Sequence, residues 1–234
     1  MKAPRLLALD LDGTLLAPEG SLNRRTASLL RLVRGGTRLV LATSRDFALT
    51  RPVATVVGAE HCICLTGAQA FRAERCLFRH PLPAAPSHAV FRYAARLGLS
   101  AAWYVRKEVF QSPREDAPDQ LLLRGDPALL HRVAERFGAL QGQVRFLFLP
   151  DWTHPQVLHL LHPRATKGRA LERLAGSLGV AREEILAVGD GLADIDMLEL
   201  AGHGVAVEGS PPPVREAADQ VLEEPLEEFL ERLS

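Results

Sequence analysis

The chain has 234 residues, 47% of them hydrophobic and 24% charged, with 28 basic and 28 acidic side chains. That length exceeds one average domain, falls short of two, and is enough to bury a core without disulfide or metal staples. Balanced charge gives no reason to expect nucleic acid or an anionic membrane as a partner, and no run of about 20 apolar residues is present to span a bilayer. The basic start, Met1–Arg5, leads into an apolar run cut by Asp10 and Asp12, unlike a secretory signal. Cys62, Cys64 and Cys76 form no paired framework, so reduced thiols and a cytoplasmic setting are expected.

In chain order, Leu6–Leu11 reads as a buried parallel strand running into an acidic, glycine-containing turn. Asn23–Arg34 is an amphipathic helix stopped by Gly35-Gly36. Arg38–Ala42 is a second strand, closed by the polar turn Thr43-Ser44-Arg45-Asp46, and Phe47–Val57 a helix that Pro52 is expected to kink or shorten. His61–Leu65 is a third strand ending at Thr66-Gly67-Ala68. Strand and helix in alternation predict a doubly wound α/β layer.

Pro81, Pro83 and Pro86 then break the rhythm. Helices near Ser87–Leu97 and Pro127–Phe137, with strands at Ala101–Val105, Gln120–Arg124, Val144–Leu149 and Val157–Leu161, predict a small α+β layer; Gln111–Asp119 reads as a loop. From Lys167 the α/β pattern returns: helix Gly168–Leu178, strand Glu184–Val188, turn Gly189-Asp190-Gly191, helix Asp194–Leu200, strand Gly204–Val207, helix Val214–Asp219, and a surface helix within Glu223–Ser234. The expected organisation is therefore a mostly parallel, Rossmann-like core of residues 1–81 and 163–234, with 82–162 inserted as a second domain.

Four groups of residues carry chemistry, each after its own strand. Asp10 and Asp12 sit two apart at the carboxyl end of the first strand, where open α/β sheets bind ligands. Neighbouring carboxylates need a cation or another organising charge; one can attack phosphorus while the other serves as acid and base. The hydroxyl of Thr43 and the backbone at Ser44 could hold phosphoryl oxygens. Lys167, at a helix start, could offset negative charge at the mouth of a site. Asp190 is an oxygen ligand suited to Mg²⁺. Asp194, four residues on, could orient a water or Lys167, and Asp196 reads as helix N-terminal charge.

Taken together, Asp10-x-Asp12-Gly13-Thr14, Thr43, Lys167 and Gly189-Asp190 with Asp194 resemble the four motifs of the haloacid dehalogenase superfamily of phosphatases. The insertion between the second and third motifs resembles the larger α/β cap of its Cof-like and sucrose-phosphatase-like members. The resemblance implies an Mg²⁺-dependent phosphatase acting on a small phosphorylated metabolite, a sugar phosphate by preference, through an aspartyl-phosphate on Asp10. It also implies Asp12 as acid and base; metal held by Asp10, the Asp12 backbone carbonyl and Asp190; phosphoryl oxygens held by Thr43, Ser44 and Lys167; and Asp194 as support. Departures from the pattern are Ser44 for glycine, Ala193 for asparagine and Thr66 for asparagine. A phosphomutase or phosphotransferase would use the same nucleophile. A phospho-accepting receiver module places its aspartate on a later strand and lacks an insert, and a non-catalytic member would not require Asp10, Asp12, Lys167 and Asp190 together. Cap residues Arg106, Lys107, Arg114 and His154 are candidates to meet a substrate; oligomeric state is not legible.

Overall fold

The computed structural model describes residues 3–33, 36–150 and 154–233. The chain divides into two compact units, Met1–Phe78 with Thr166–Ser234, and Arg79–Ala165.

The first unit opens with β1 (Leu6–Leu9), α1 (Arg24–Val33), β2 (Arg38–Ala42), α2 (Phe47–Val57), β3 (His61–Cys64), β4 (Gln69–Arg72) and β5 (Arg75–Arg79). The inserted unit follows with α3 (Ala84–Arg96), β6 (Ser100–Val105), β7 (Glu108–Phe110), β8 (Gln120–Arg124), α4 (Pro127–Arg136), β9 (Arg145–Leu149) and β10 (Val157–Leu161). The first unit resumes with α5 (Lys167–Ser177), β11 (Ile185–Gly189), α6 (Ile195–Leu200), β12 (His203–Ala206), α7 (Pro212–Ala217), β13 (Gln220–Val221) and α8 (Leu226–Glu231).

The core sheet has the order β13-β12-β11-β1-β2-β3-β4-β5. It is parallel from β13 through β3 and turns antiparallel at β4. Every residue of β1, β3 and β11 is buried, as expected of parallel strands covered on both faces. Because β1 lies between β2 and β11, its carboxyl end is the point where the winding reverses, the place where open α/β sheets bind ligands. Leu171 and Leu174 of α5 and Met197 and Leu198 of α6 pack on one face, against Leu6, Ala8, Val40, Ile63, Ala187 and Ala206.

The inserted unit is a five-stranded sheet, β7-β6-β8-β10-β9, antiparallel in its pairings. Val90 and Ala94 of α3 and Leu130 and Val133 of α4 pack with Trp103, Leu121, Leu123, Leu158 and Leu160 in one core.

Several boundaries differ from the sequence-based expectation. The insertion begins at Arg79 and ends at Ala165, outside the expected 82–162. The Arg79 guanidinium reaches the fully buried Asp119 through Nε at 2.8 and 3.0 Å, and the rings of His80 and His162 stack at 5.7 Å, tying both connecting segments into this unit. Pro52 does not shorten α2: the partner its missing N–H would have had is the carbonyl of Ala48, an exposed residue. α3 starts at Ala84 because Pro86 falls in its first turn, where N–H groups have no helical partner. The β4–β5 hairpin was not foreseen, since its turn contains no glycine or asparagine: Ala73 takes the positive φ of 48°. β7 has only three residues, too few to show alternation. Gly35, the expected stop of α1, lies outside the described residues.

Candidate active site

The carboxyl ends of β1, β2, β3 and β11 and the start of α5 supply the site. Asp10 follows β1 directly; its N–H bonds to the Val188 carbonyl on β11 at 3.0 Å, and it is 5% exposed. Lys167 opens α5 behind the N-cap Thr166, whose side chain accepts from the Arg169 N–H. A lysine at a helix start ordinarily extends into water; this one is 2% exposed. Its ammonium donates to Asp10 Oδ1 at 2.5 Å and to Asp194 Oδ1 at 2.6 Å. Burial works against that charge, but the carboxylates of Asp10 and Asp194 outweigh it and hold the Lys167 pKa above its ordinary value.

Asp194 uses its second oxygen as well. Oδ2 accepts from the N–H groups of Asp190 at 3.2 Å and Gly191 at 2.9 Å, pinning the loop after β11. That loop presents Asp190, whose Oδ1 accepts from the Thr14 hydroxyl at 2.8 Å. Burial raises the Asp190 pKa. The Asp10 carboxyl is likewise pushed well up by burial; Lys167 opposes the shift, and Asp194 and Asp190 add to it. Gly13, at φ +86°, is required here, because a Cβ would sit 2.3 Å from Asp190 Oδ2.

The expected metal contact of Asp12 is through its backbone carbonyl, and its side chain is engaged elsewhere. Its carboxylate meets the Arg45 guanidinium in a two-pronged pair, Nε to Oδ2 at 2.9 Å and Nη2 to Oδ1 at 2.5 Å. The oxygens that do cluster, all within 4.8 Å of one another, belong to Asp10, Asp190 and Asp194. Asp194 is committed to Lys167 and two N–H groups, so Asp10 and Asp190 are the carboxylates with oxygens left to offer. Two hard oxygen donors suit Mg²⁺, which takes few carboxylates and keeps several waters. The donor set therefore fits the metal, with only the Asp12 backbone left to contribute from that residue.

Thr43 is fully buried after β2. Its hydroxyl accepts from the Arg45 N–H at 3.1 Å, and its carbonyl accepts from the Thr66 N–H at 3.0 Å. Ser44, beside it, is partly exposed. Leu65 and Thr66 both take positive φ, 50° and 53°, and the Thr66 hydroxyl is buried with no hydrogen-bond partner among the described residues. Gly67 follows at φ +93°, where a Cβ would lie 2.2 Å from the Thr166 carbonyl oxygen. Asp196 caps the start of α5 rather than its own helix, accepting from the Gly168 N–H at 2.9 Å.

Sequence reasoning assigned no role to Arg45. The available signal was a guanidinium two residues beyond Thr43, at the end of the strand next to β1. In the inserted unit, Arg106 and Arg114 line one cavity of about 390 Å³ together with Glu108, Glu115 and Asp116. Arg106 has φ +56° and its N–H bonds to Asp119, while the Arg114 guanidinium lies 4.1 Å from the Phe110 ring centroid. Lys107 and His154 do not line that cavity. Among the described residues no helix is long and apolar enough to cross a membrane, and the three cysteines are free.

The family model of the haloacid dehalogenase-like hydrolases matches residues 7–122 and 110–227. A phosphoglycolate phosphatase of Halorubrum lacusprofundi is 30% identical over 216 residues, covering 92% of this chain and 89% of that protein. A haloacid dehalogenase-like hydrolase from Bacteroides thetaiotaomicron superposes with a TM-score of 0.86 at 26% identity, covering 99% of this chain and 100% of the other. A sugar phosphatase of subclass IIB shares the fold, with a TM-score of 0.80 at 19% identity over 97% of this chain and 98% of its own. The Asp10–Lys167–Asp194 network at the switch point, the oxygen cluster around Asp190 and these matches converge: the chain belongs to the haloacid dehalogenase-like hydrolases, as a phosphatase of the Cof-like type.

Proposed function

We propose that this chain hydrolyses a small phosphorylated metabolite in an Mg²⁺-dependent reaction, with Asp10 as covalent nucleophile. The observation that carries the reading is the buried Lys167 ammonium bound to Asp10 beside Asp190, at the switch point of the sheet. Mg²⁺ would be held by the Asp10 carboxylate, the Asp12 backbone carbonyl and Asp190, and when bound it offsets the charge between carboxylates and phosphoryl group.

Lys167 fixes one Asp10 oxygen, which leaves the other to attack phosphorus; the bond to the leaving oxygen breaks and an aspartyl-phosphate forms. Asp12 gives a proton to the leaving alkoxide and later takes one from the water that hydrolyses the intermediate. Arg45 occupies both Asp12 oxygens, so one must leave the guanidinium fork before the proton can move. Thr43, the Ser44 backbone and Lys167 steady the phosphoryl oxygens, and Asp194 keeps Lys167 and the Asp190 loop in place. The inserted unit, residues 79–165, would select the substrate.

A sugar phosphate is the first substrate class. Phosphoglycolate is a second, favoured by the relative of that name aligned along nearly the whole chain. The test is phosphate release from both classes with Mg²⁺ or EDTA, for wild type and Asp10→Asn. Mg²⁺-dependent release that disappears in Asp10→Asn supports the reading. Release that persists in Asp10→Asn ends it, and loss of the substrate's phosphoryl group that reappears on an added sugar-phosphate acceptor, rather than as free phosphate, points instead to a phosphomutase.

A further inference from the structure

A second charged crevice lies at the other end of the core strands. In the sheet register Val40 pairs with His61, and His61 with Arg72, which places the three in one row across β2, β3 and β4. Arg38 precedes Val40 by two residues and so shares its face. This is the face on which Val40, Ile63 and Ala70 pack with α5. Where that packing ends, Arg38, His61 and Arg72 line a cavity of about 300 Å³ with Thr37, Glu60 and Leu178. Arg38 and His61 begin strands whose far ends carry Thr43 and the Leu65 turn. The crevice is thus a strand length, roughly 16 Å, from the catalytic end.

The state of these groups is uneven. His61 is 4% exposed, and among the described residues its ring makes no hydrogen bond. The Arg38 guanidinium has neither a hydrogen-bond nor an ion-pair partner among them. Arg72 meets Glu60 at 3.4 Å with both side chains about half exposed or more, a weak and displaceable pair. Burial lowers the His61 pKa, Arg72 adds to that, Glu60 opposes it, and Arg38 lowers it further. A buried imidazole facing two guanidiniums is thus held neutral in the absence of an anion. A cation would be repelled by the arginines, and an apolar ligand would strip water from them without replacing it. An oxyanion would answer both guanidinium forks and allow the imidazole to charge.

We propose that this crevice binds a small phosphate-type dianion, gripped by Arg38 and Arg72 over the His61 ring. The site is separate from the catalytic carboxylates and does not depend on the reaction assigned to them. The reporter is the His61 ring resonance, assigned by its loss in His61→Gln and followed from pH 5 to pH 8.5 in EDTA at matched ionic strength. The ligands are inorganic phosphate, glucose 6-phosphate and chloride. Phosphate is expected to raise the His61 midpoint by about one pH unit relative to chloride, and the double variant Arg38→Gln/Arg72→Gln is expected to abolish the rise. If glucose 6-phosphate acts as phosphate does, the crevice accepts a phosphoryl ester; if only phosphate acts, it takes the free anion. Equal midpoints in phosphate and chloride overturn the proposal, and so does a rise that survives in the double variant. Should the double variant not fold, Arg38→Gln alone, at an exposed strand start, makes the comparison, and an undiminished rise there is equally fatal.

Discussion

Asp194→Asn isolates the support beneath the reactive groups. The side chain is 1% exposed, gives one oxygen to the Lys167 ammonium at 2.6 Å and the other to two backbone N–H groups. Asparagine keeps the shape but puts an NH₂ against a donor whichever way it turns, since both sides of Asp194 face N–H groups. Removing one partner of a buried ion pair costs about 3–5 kcal/mol. Lys167 retains Asp10 as counter-ion, so the lower end applies, about 3 kcal/mol. For a chain of this size that is a fall of roughly 6–12 °C in Tm. Asp194→Ala removes the acceptor for both N–H groups as well and should melt a further step lower. Asp196→Asn, which still offers an acceptor to the Gly168 N–H, is the control at under about 1 kcal/mol. Calorimetry of the four proteins in EDTA gives the ordering. An Asp194→Asn protein melting no lower than Asp196→Asn would refute the reasoning, because Asp194 would then carry no buried charge that matters to folding.

The strained turn after β3 should respond in opposite directions at adjacent positions. Thr66→Asn replaces a β-branched residue at φ 53° with one that tolerates left-handed backbone, and is expected to gain about 1 kcal/mol in urea unfolding. Gly67→Ala drives a methyl to 2.2 Å from the Thr166 carbonyl, next to Lys167, and is expected to lower both stability and kcat. Arg45→Lys replaces a two-pronged grip on Asp12 with a single point charge. A fall in kcat with little change in Tm, measured by steady-state kinetics beside a thermal melt, is the expected result; unchanged kcat would show that the fork does not position Asp12. His61 has its pKa lowered in the folded chain, so the unfolded chain binds more protons as pH falls below 6.5. Its contribution is present above pH 6.5 and is lost as pH drops through the folded value. Unfolding midpoints between pH 7.5 and 5 should therefore fall less steeply in His61→Gln than in wild type.

Much of the site was legible because its chemistry lies in residue types at strand ends. Asp10, Thr43, Lys167 and Asp190 each follow a recognisable apolar run or helix start, and the parallel order of those runs implies a common edge. Arg45 was not legible, since one arginine in a polar turn is indistinguishable from a solvated one until Asp12, in the turn beyond the neighbouring strand, is seen 2.5 Å away. Asp196 was read as serving its own helix, where the nearest positive dipole is; the fold brings the start of α5 closer. The β4–β5 hairpin escaped notice because its turn uses alanine where glycine would have signalled it.

Periodicity and the spacing of charged residues, which are local properties, were enough to specify an α/β core, an inserted α+β unit and the residues that could share a catalytic edge. Partner choice is not local. Whether Lys167 faces water or two carboxylates, whether the Asp12 carboxylate meets water or a guanidinium, and whether Arg38, His61 and Arg72 fall in one row depend on the winding order and register of strands distant in sequence. Those choices were made by the tertiary structure, because the energy of a charge is set by what surrounds it after burial, and burial is a property of the folded whole.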